Sequence, residues 1–156
     1  MEIQIICSKE EALRYIAGIT SLLYENLIIN MPNEGWTMDD ARDQADSLLL
    51  NLEKGSAFLF IAARSSEVMG FAWAYKRQIA KQKRFHLNHI IVSSSRRGEG
   101  IGRAILDAVV AKAKDMQMDA VDLFSSKDRE EVVRFYSQNG FSIERLQMVL
   151  RLSKTE

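Results

Sequence analysis

Three glycines lie at alternate positions near the middle of the chain: Gly98, Gly100 and Gly102. An apolar, β-branched run precedes them at residues 90–92, and apolar residues recur with helical spacing from Ile101. A loop that opens a helix leaves backbone N–H groups without partners at the positive end of the helix dipole. Glycine lets the backbone approach a ligand closely. Such a loop suits a pyrophosphate, although a flexible loop before a helix start would contain the same glycines.

Two other nucleotide-binding motifs do not fit this loop. A dinucleotide-binding fold places its glycine loop after the first strand of a parallel unit, whereas this loop follows several strand-like segments. A P-loop ends in Gly-Lys-Ser or Gly-Lys-Thr, whereas Gly102 is followed by Arg103 and Ala104. The glycines are therefore not part of either motif.

Two segments resemble signatures of the GNAT superfamily of N-acetyltransferases. Arg97-Gly-Glu-Gly100-Ile-Gly102 is similar to the family's Arg/Gln-x-x-Gly-x-Gly/Ala motif, and it follows an apolar strand. Phe135-Tyr136-Ser-Gln-Asn-Gly140-Phe141 is similar to its Phe-Tyr-x-x-x-Gly-Phe motif. A predicted helix, strand and helix separate the two motifs, as in the family. The resemblance covers nearly the whole chain in its order of strands and helices.

The resemblance implies that acetyl-CoA is the acetyl donor. The strand before the loop would diverge from a parallel neighbour at about 121–124 and pair with the pantetheine arm, and an N–H near Val92 would polarise the thioester carbonyl. Arg129 stands where the family often has asparagine; it could reach a CoA phosphate or simply face solvent. The pantetheine contacts would come from Ile90, Ile91 and Val92. The pyrophosphate contacts would come from Arg97, Gly98, Glu99, Gly100, Ile101, Gly102 and Arg103.

The resemblance also implies two catalytic residues. Tyr136 aligns with the general acid that protonates the departing thiolate, although it could instead be an amphipathic residue covering the core. His86 aligns with a position of the general base, and a neutral imidazole can accept a proton from an ammonium. The alternatives for His86 are a surface residue near the turn at 77–83, or a water relay in its place. Strand alternation would put His86 and Asn88 on one face and His89 on the other, unless a bulge reverses the parity.

The elements around these residues alternate between strands and helices. We predict an α+β fold of the acyl-CoA N-acyltransferase type, with a mostly antiparallel central sheet of six to seven strands and helices on both faces. The chain, 1–156, would form a single domain. Predicted helices begin at Ser8, at Thr37, near Ile101, and at Ser126 or Asp128. Predicted strands lie at 2–7, 57–63, 68–76, 84–92 and 119–124, with one or two more within 141–152.

The composition narrows the class of protein. Lys plus Arg equals Asp plus Glu at 21 each, so no overall charge favours nucleic acid or an anionic membrane. One cysteine and two histidines are too few for a typical metal site, and we expect none. No apolar run is long enough to span a membrane. We therefore expect a cytoplasmic protein, with homodimerisation, which is common in the family, as an option.

Three functions are compatible with these observations. The first is the transfer of acetyl from acetyl-CoA to a primary amine of a small molecule, by direct attack on the thioester. The second is the same reaction on a protein N-terminus or lysine. The third is a non-catalytic, acyl-CoA-binding regulatory domain, against which the presence of Tyr136 argues.

Overall fold

The computed structural model describes residues 1–154. Contacts within the chain divide it into two compact units, Met1–Leu123 and Phe124–Glu156. The first unit contains the sheet and four of the helices, and the second contains one short helix. The single domain over 1–156 stays a prediction.

The first unit is built on one sheet of five strands, ordered β1-β2-β3-β4-β5. Neighbours from β1 to β4 are antiparallel: short turns connect β2 to β3 and β3 to β4, whereas the first three helices lie between β1 and β2. β5 lies parallel to β4 after a helical crossover. The sheet is therefore mixed. The strands are β1 (Gln4–Ile6), β2 (Ala57–Arg64), β3 (Glu67–Ile79), β4 (Gln82–Val92) and β5 (Ala120–Asp122).

The prediction of six to seven strands was wrong for the described residues. The segment 141–152 has the apolar alternation of a strand, yet no strand forms there. Most of its large apolar side chains are exposed, from 63% for Val149 to 92% for Met148. Alternation describes only which face a strand would bury, and a strand also needs a partner for its backbone groups. This segment has no such partner in the part of the chain that is described.

The first three helices are α1 (Lys9–Ala12), α2 (Ile16–Asn30) and α3 (Met38–Glu53). Ser8 begins α1 as predicted, since its side chain accepts a hydrogen bond from the Glu11 N–H at 3.2 Å. Thr37 and Asp40 form a reciprocal capping box at the start of α3. Each cap satisfies a backbone donor that the helix itself leaves unpaired.

Helices cover both faces of the sheet. Apolar residues of α2 and α3 pack on one face against Leu59, Phe71 and Trp73, whose alternate positions point to that side. The fourth helix, α4 (Ile101–Asp115), covers the other face. A short 3₁₀ helix, Ser94–Arg96, lies between β4 and α4.

The second unit contains helix α5 (Glu130–Gln138). The N-cap residue of α5 is Arg129, and no side chain caps the helix. The prediction of a cap at Ser126 or Asp128 was therefore wrong. The chain leaves the helix at Gly140, whose φ of +89° favours glycine.

Candidate active site

Strands β4 and β5 pair over a short distance, and β4 then continues beyond the end of β5. The pairs run from Arg84 with Ala120 to His86 with Asp122, where β5 ends. β4 continues to Val92 and pairs with β3 on its other edge. Within residues 1–154, no strand pairs with the β5-facing edge of β4 beyond His86. This edge therefore offers backbone N–H and C=O groups to an extended ligand.

A β-bulge lies in the part of β4 that extends beyond its pairing with β5. Trp73 faces His89 and Ala74 faces Leu87, which leaves Asn88 without an opposite residue. The bulge shifts the alternation of side chains by one. His89 consequently stacks on Trp73, with ring centroids 6.4 Å apart and an interplanar angle of 29°. The sequence placed His86 and His89 on opposite faces unless a bulge reversed the parity, and the structure contains such a bulge, which brings both to one face.

His86 is buried at the last pair between the two strands. Its side chain faces Tyr75, with ring centroids 5.1 Å apart. The residue is 2% exposed, which contradicts the alternative that it is a surface residue near the turn. Its Nδ1 lies 2.7 Å from Oδ1 of Asp122, the residue directly across the parallel pair.

Asp122 connects His86 to two arginines. Its other carboxylate oxygen, Oδ2, accepts a hydrogen bond from Arg77 at 2.8 Å and lies 3.6 Å from a nitrogen of Arg84. Burial by itself raises the pKa of Asp122, but the hydrogen bonds from Arg77 and His86 outweigh burial and hold the pKa below its usual range. Asp122 was not among the site residues predicted from the sequence. The available signal was a carboxylate on the apolar strand predicted to lie parallel to β4.

The glycine loop follows β4 after the short 3₁₀ helix. Gly98 and Gly100 have φ angles of +82° and +78°, a region that side chains other than glycine rarely adopt. Gly100 is the N-cap of α4, and no side chain caps that helix. An added Cβ at either glycine would meet nothing within 4 Å, so conformation and not crowding requires glycine. The exposed loop and the uncapped helix N-terminus suit a pyrophosphate.

The arginines around the loop differ in their surroundings. Arg103 pairs with Asp107, one turn further along α4, at 2.9 Å. Arg96, which sequence reasoning did not select, lies 3.1 Å from Glu67 and 3.8 Å from Glu99. The carboxylates near Arg96 and Arg103 offset part of the positive charge at the loop.

The start of α4 is packed tightly onto the sheet. A Cβ on Gly70 would lie 3.0 Å from the carbonyl oxygen of Ile91 and 3.1 Å from a methyl group of Ile101. Gly70 also pairs with Val92, the last residue of β4. The absence of a side chain there therefore fixes how closely the helix that carries the loop approaches the strand.

Within the second unit, Tyr136 is largely buried among aromatic rings. Its ring centroid lies 5.2 Å from that of Phe135 and 5.3 Å from that of Phe141. Burial raises the pKa of Tyr136 to about 12, although the positive charge of Arg129 opposes the shift. The phenol therefore remains protonated at neutral pH and can serve as a proton donor.

Among residues 1–154, no group of three or more His, Cys, Asp or Glu side chains is placed to hold a metal ion. In the same part of the chain, no helix has the length and apolar character needed to cross a bilayer.

Comparison with known proteins places this geometry in a family. A mycothiol acetyltransferase from Propionibacterium freudenreichii subsp. shermanii is 26% identical over 116 residues, which are 74% of this chain and 36% of that protein. The chain thus spans about a third of that relative's length.

Solved structures share the fold. A putative acetyl transferase from Pyrococcus furiosus superposes with a TM-score of 0.74 at 23% identity, over 97% of this chain and 100% of that one. The ribosomal-protein-alanine N-acetyltransferase from Brucella melitensis biovar Abortus 2308 gives a TM-score of 0.69 at 19% identity, with the same coverage. The model of the acetyltransferase (GNAT) family matches residues 21–141. The chain therefore belongs to the acetyltransferase (GNAT) family.

Proposed function

We propose that this protein transfers an acetyl group from acetyl-CoA to the nitrogen of a primary amine on a small molecule. One observation carries the proposal. The edge of β4 that β5 leaves unpaired is followed, after the short 3₁₀ helix, by a glycine loop at the uncapped N-terminus of α4. An extended pantetheine arm needs the first feature, and a pyrophosphate needs the second.

The donor would be held mainly by backbone groups. Ile90, Ile91 and Val92 would pair with the pantetheine arm, and the N–H groups of the loop would bind the pyrophosphate. Arg129 would contribute charge toward a CoA phosphate. The loop residues in this role would be Arg97, Gly98, Glu99, Gly100, Ile101, Gly102 and Arg103.

The chemistry is aminolysis of a thioester. The amine nitrogen forms a bond with the carbonyl carbon, and the carbon–sulfur bond breaks with its electron pair remaining on sulfur. An N–H near Val92 would stabilise the negative charge that develops on the carbonyl oxygen. His86 would take the proton from the amine, and Tyr136 would give a proton to the thiolate.

The preference for a small molecule is supported by the name of the relative, a mycothiol acetyltransferase. The likeness to a ribosomal-protein-alanine N-acetyltransferase is a likeness of fold. A protein acceptor is therefore an outcome that the experiment must be able to detect. The cytoplasmic location, the homodimer, and the absence of nucleic-acid and membrane partners stay predictions.

The test is turnover against a panel of acceptors. Purified protein would be incubated with acetyl-CoA and a set of small amines, polyamines, amino sugars and peptides. Released CoA thiol and the mass of the product would be measured together. The proposal predicts thiol release that depends on a small amine, with one acetyl group added to its nitrogen. Acetylation of peptides alone would contradict the small-molecule acceptor, and binding without turnover on any acceptor would support a regulatory domain.

A further inference from the structure

We propose that Asp122 is a positioning residue that holds His86 in the tautomer with its proton on Nδ1 and its lone pair on Nε2. The inference rests on the proposed function insofar as it gives His86 the role of base. It adds a residue that neither the sequence motifs nor the family comparison selects.

The geometry fixes which ring nitrogen meets the carboxylate. Nδ1 of His86 lies 2.7 Å from Oδ1 of Asp122, a normal hydrogen-bond distance. An ionised carboxylate only accepts hydrogen bonds, so Nδ1 must carry the proton. A neutral imidazole has one N–H, and therefore its lone pair is on Nε2.

The carboxylate is itself held in place. Arg77 donates to Oδ2 at 2.8 Å, which leaves Oδ1 directed to the imidazole. The backbone contributes as well, since His86 and Asp122 are directly paired residues on parallel strands. The orientation of His86 is thus fixed by the last pair between β4 and β5.

Side chains from three strands meet at this pair. Tyr75 and Arg77 lie on β3, Arg84 lies on β4 and Asp122 lies on β5. Asp122 thus joins the imidazole to charged groups of both other strands, which holds the carboxylate where it meets Nδ1.

The first experiment reads the tautomer directly. The chain has only two histidines, so ¹⁵N–¹H correlation spectra of the rings are simple, and a His89→Gln variant assigns them. The wild-type protein at pH 8 should show the proton of His86 on Nδ1. A dominant Nε2–H form in the wild-type protein would overturn the proposal without reference to activity.

The second experiment compares two matched variants. Asp122→Asn can present an amide N–H to Nδ1, which would shift the ring proton to Nε2. Asp119→Asn makes the same change of charge nearby, where Oδ2 accepts the Lys83 N–H at 2.7 Å and the amide oxygen can replace it. We expect Asp122→Asn to lose the Nδ1–H signal and to lower kcat by about a hundredfold. The dissociation constant for acetyl-CoA should be unchanged, and Asp119→Asn should behave as the wild type.

The outcomes separate this inference from the proposed function. Wild-type turnover with an unaltered tautomer and unaltered kcat in Asp122→Asn would overturn the inference alone. Absence of wild-type turnover on every acceptor, together with an Nδ1–H ring that depends on Asp122, would support the positioning and contradict the proposed function. If Asp122→Asn does not fold, the tautomer of His86 in the wild-type protein still tests the proposal.

Discussion

The carboxylate of Glu25 accepts hydrogen bonds from both the backbone N–H and the hydroxyl of Ser94. Glu25 lies on α2, and Ser94 begins the 3₁₀ helix between β4 and the glycine loop. A helix on one face of the sheet is therefore tied to the segment that leads into the loop. This contact restrains the segment of the chain that precedes the loop, and it does not use the backbone amides of the loop itself.

Loss of this contact should weaken donor binding slightly. In Glu25→Gln, the charge-assisted hydrogen bonds from Ser94 become neutral ones, at a cost of about 1 kcal/mol. We expect the dissociation constant for acetyl-CoA to rise by up to about fivefold, as measured by isothermal titration calorimetry. Glu53→Gln, which removes only the exposed pair with Lys9, is the control and should bind as the wild type. Equal affinity in Glu25→Gln and the wild type would show that the contact does not shape the loop.

The conformation of Gly100 supports a matched test. Gly100→Ala must place an alanine at a φ of +78°, at a cost of about 1 kcal/mol of stability. Gly55→Ala carries the same penalty at a φ of +71°, in the turn between α3 and β2, which is not part of the glycine loop. An added Cβ would meet no neighbour within 4 Å at either position. Both variants should lose similar stability in urea, and only Gly100→Ala should bind acetyl-CoA several-fold more weakly. Parallel losses of affinity would mean that the effect is general strain.

Tyr136→Phe tests the proton donor. A pKa of about 12 keeps the phenol protonated across the usual assay range, so the variant removes a proton that is present at every pH tested. We expect kcat to fall about a hundredfold while the dissociation constant for acetyl-CoA is unchanged. Tyr15→Phe, which removes only a hydroxyl bonded to Gln4 at 2.7 Å, serves as the control. A kcat within twofold of the wild type would exclude Tyr136 as the acid.

The lowered pKa of Asp122 predicts a pH dependence of stability. A carboxyl whose pKa is lower in the folded than in the unfolded state stabilises the fold above its unfolded pKa of about 3.9. That contribution is lost as the pH falls below about 4 and the carboxyl binds a proton. The difference in unfolding free energy between the wild type and Asp122→Asn should therefore shrink from pH 7 to pH 3 in urea titrations. A difference that is constant over this range would contradict the assigned shift.

Structural features that depend on neighbouring residues alone could be predicted from the sequence. Thr37 and Asp40 form the predicted helix start because both sides of a capping box are encoded within four residues. The loop at Gly98 and Gly100 follows similarly from short-range spacing.

Structural features that depend on a partner distant in the sequence could not be predicted from local patterns. The bulge at Asn88 depends on the register between β3 and β4, and it reversed the predicted face of His89. Asp122 acquires its contact with His86 only because β5 pairs with β4 after a helical crossover. The alternation in 141–152 predicted strands, but alternation contains no information about the partner that a strand requires.

The central claim is that acetyl-CoA occupies the unpaired edge of β4 and the glycine loop, and hydrogen–deuterium exchange tests it most directly without requiring the acceptor. Exchange would be measured with and without saturating acetyl-CoA, with peptides spanning 88–92 and 97–103 resolved from the rest. We predict slower exchange in both segments, and no such change in the turn at Gly55. Binding that leaves both segments unchanged, or no binding of acetyl-CoA, would contradict the claim.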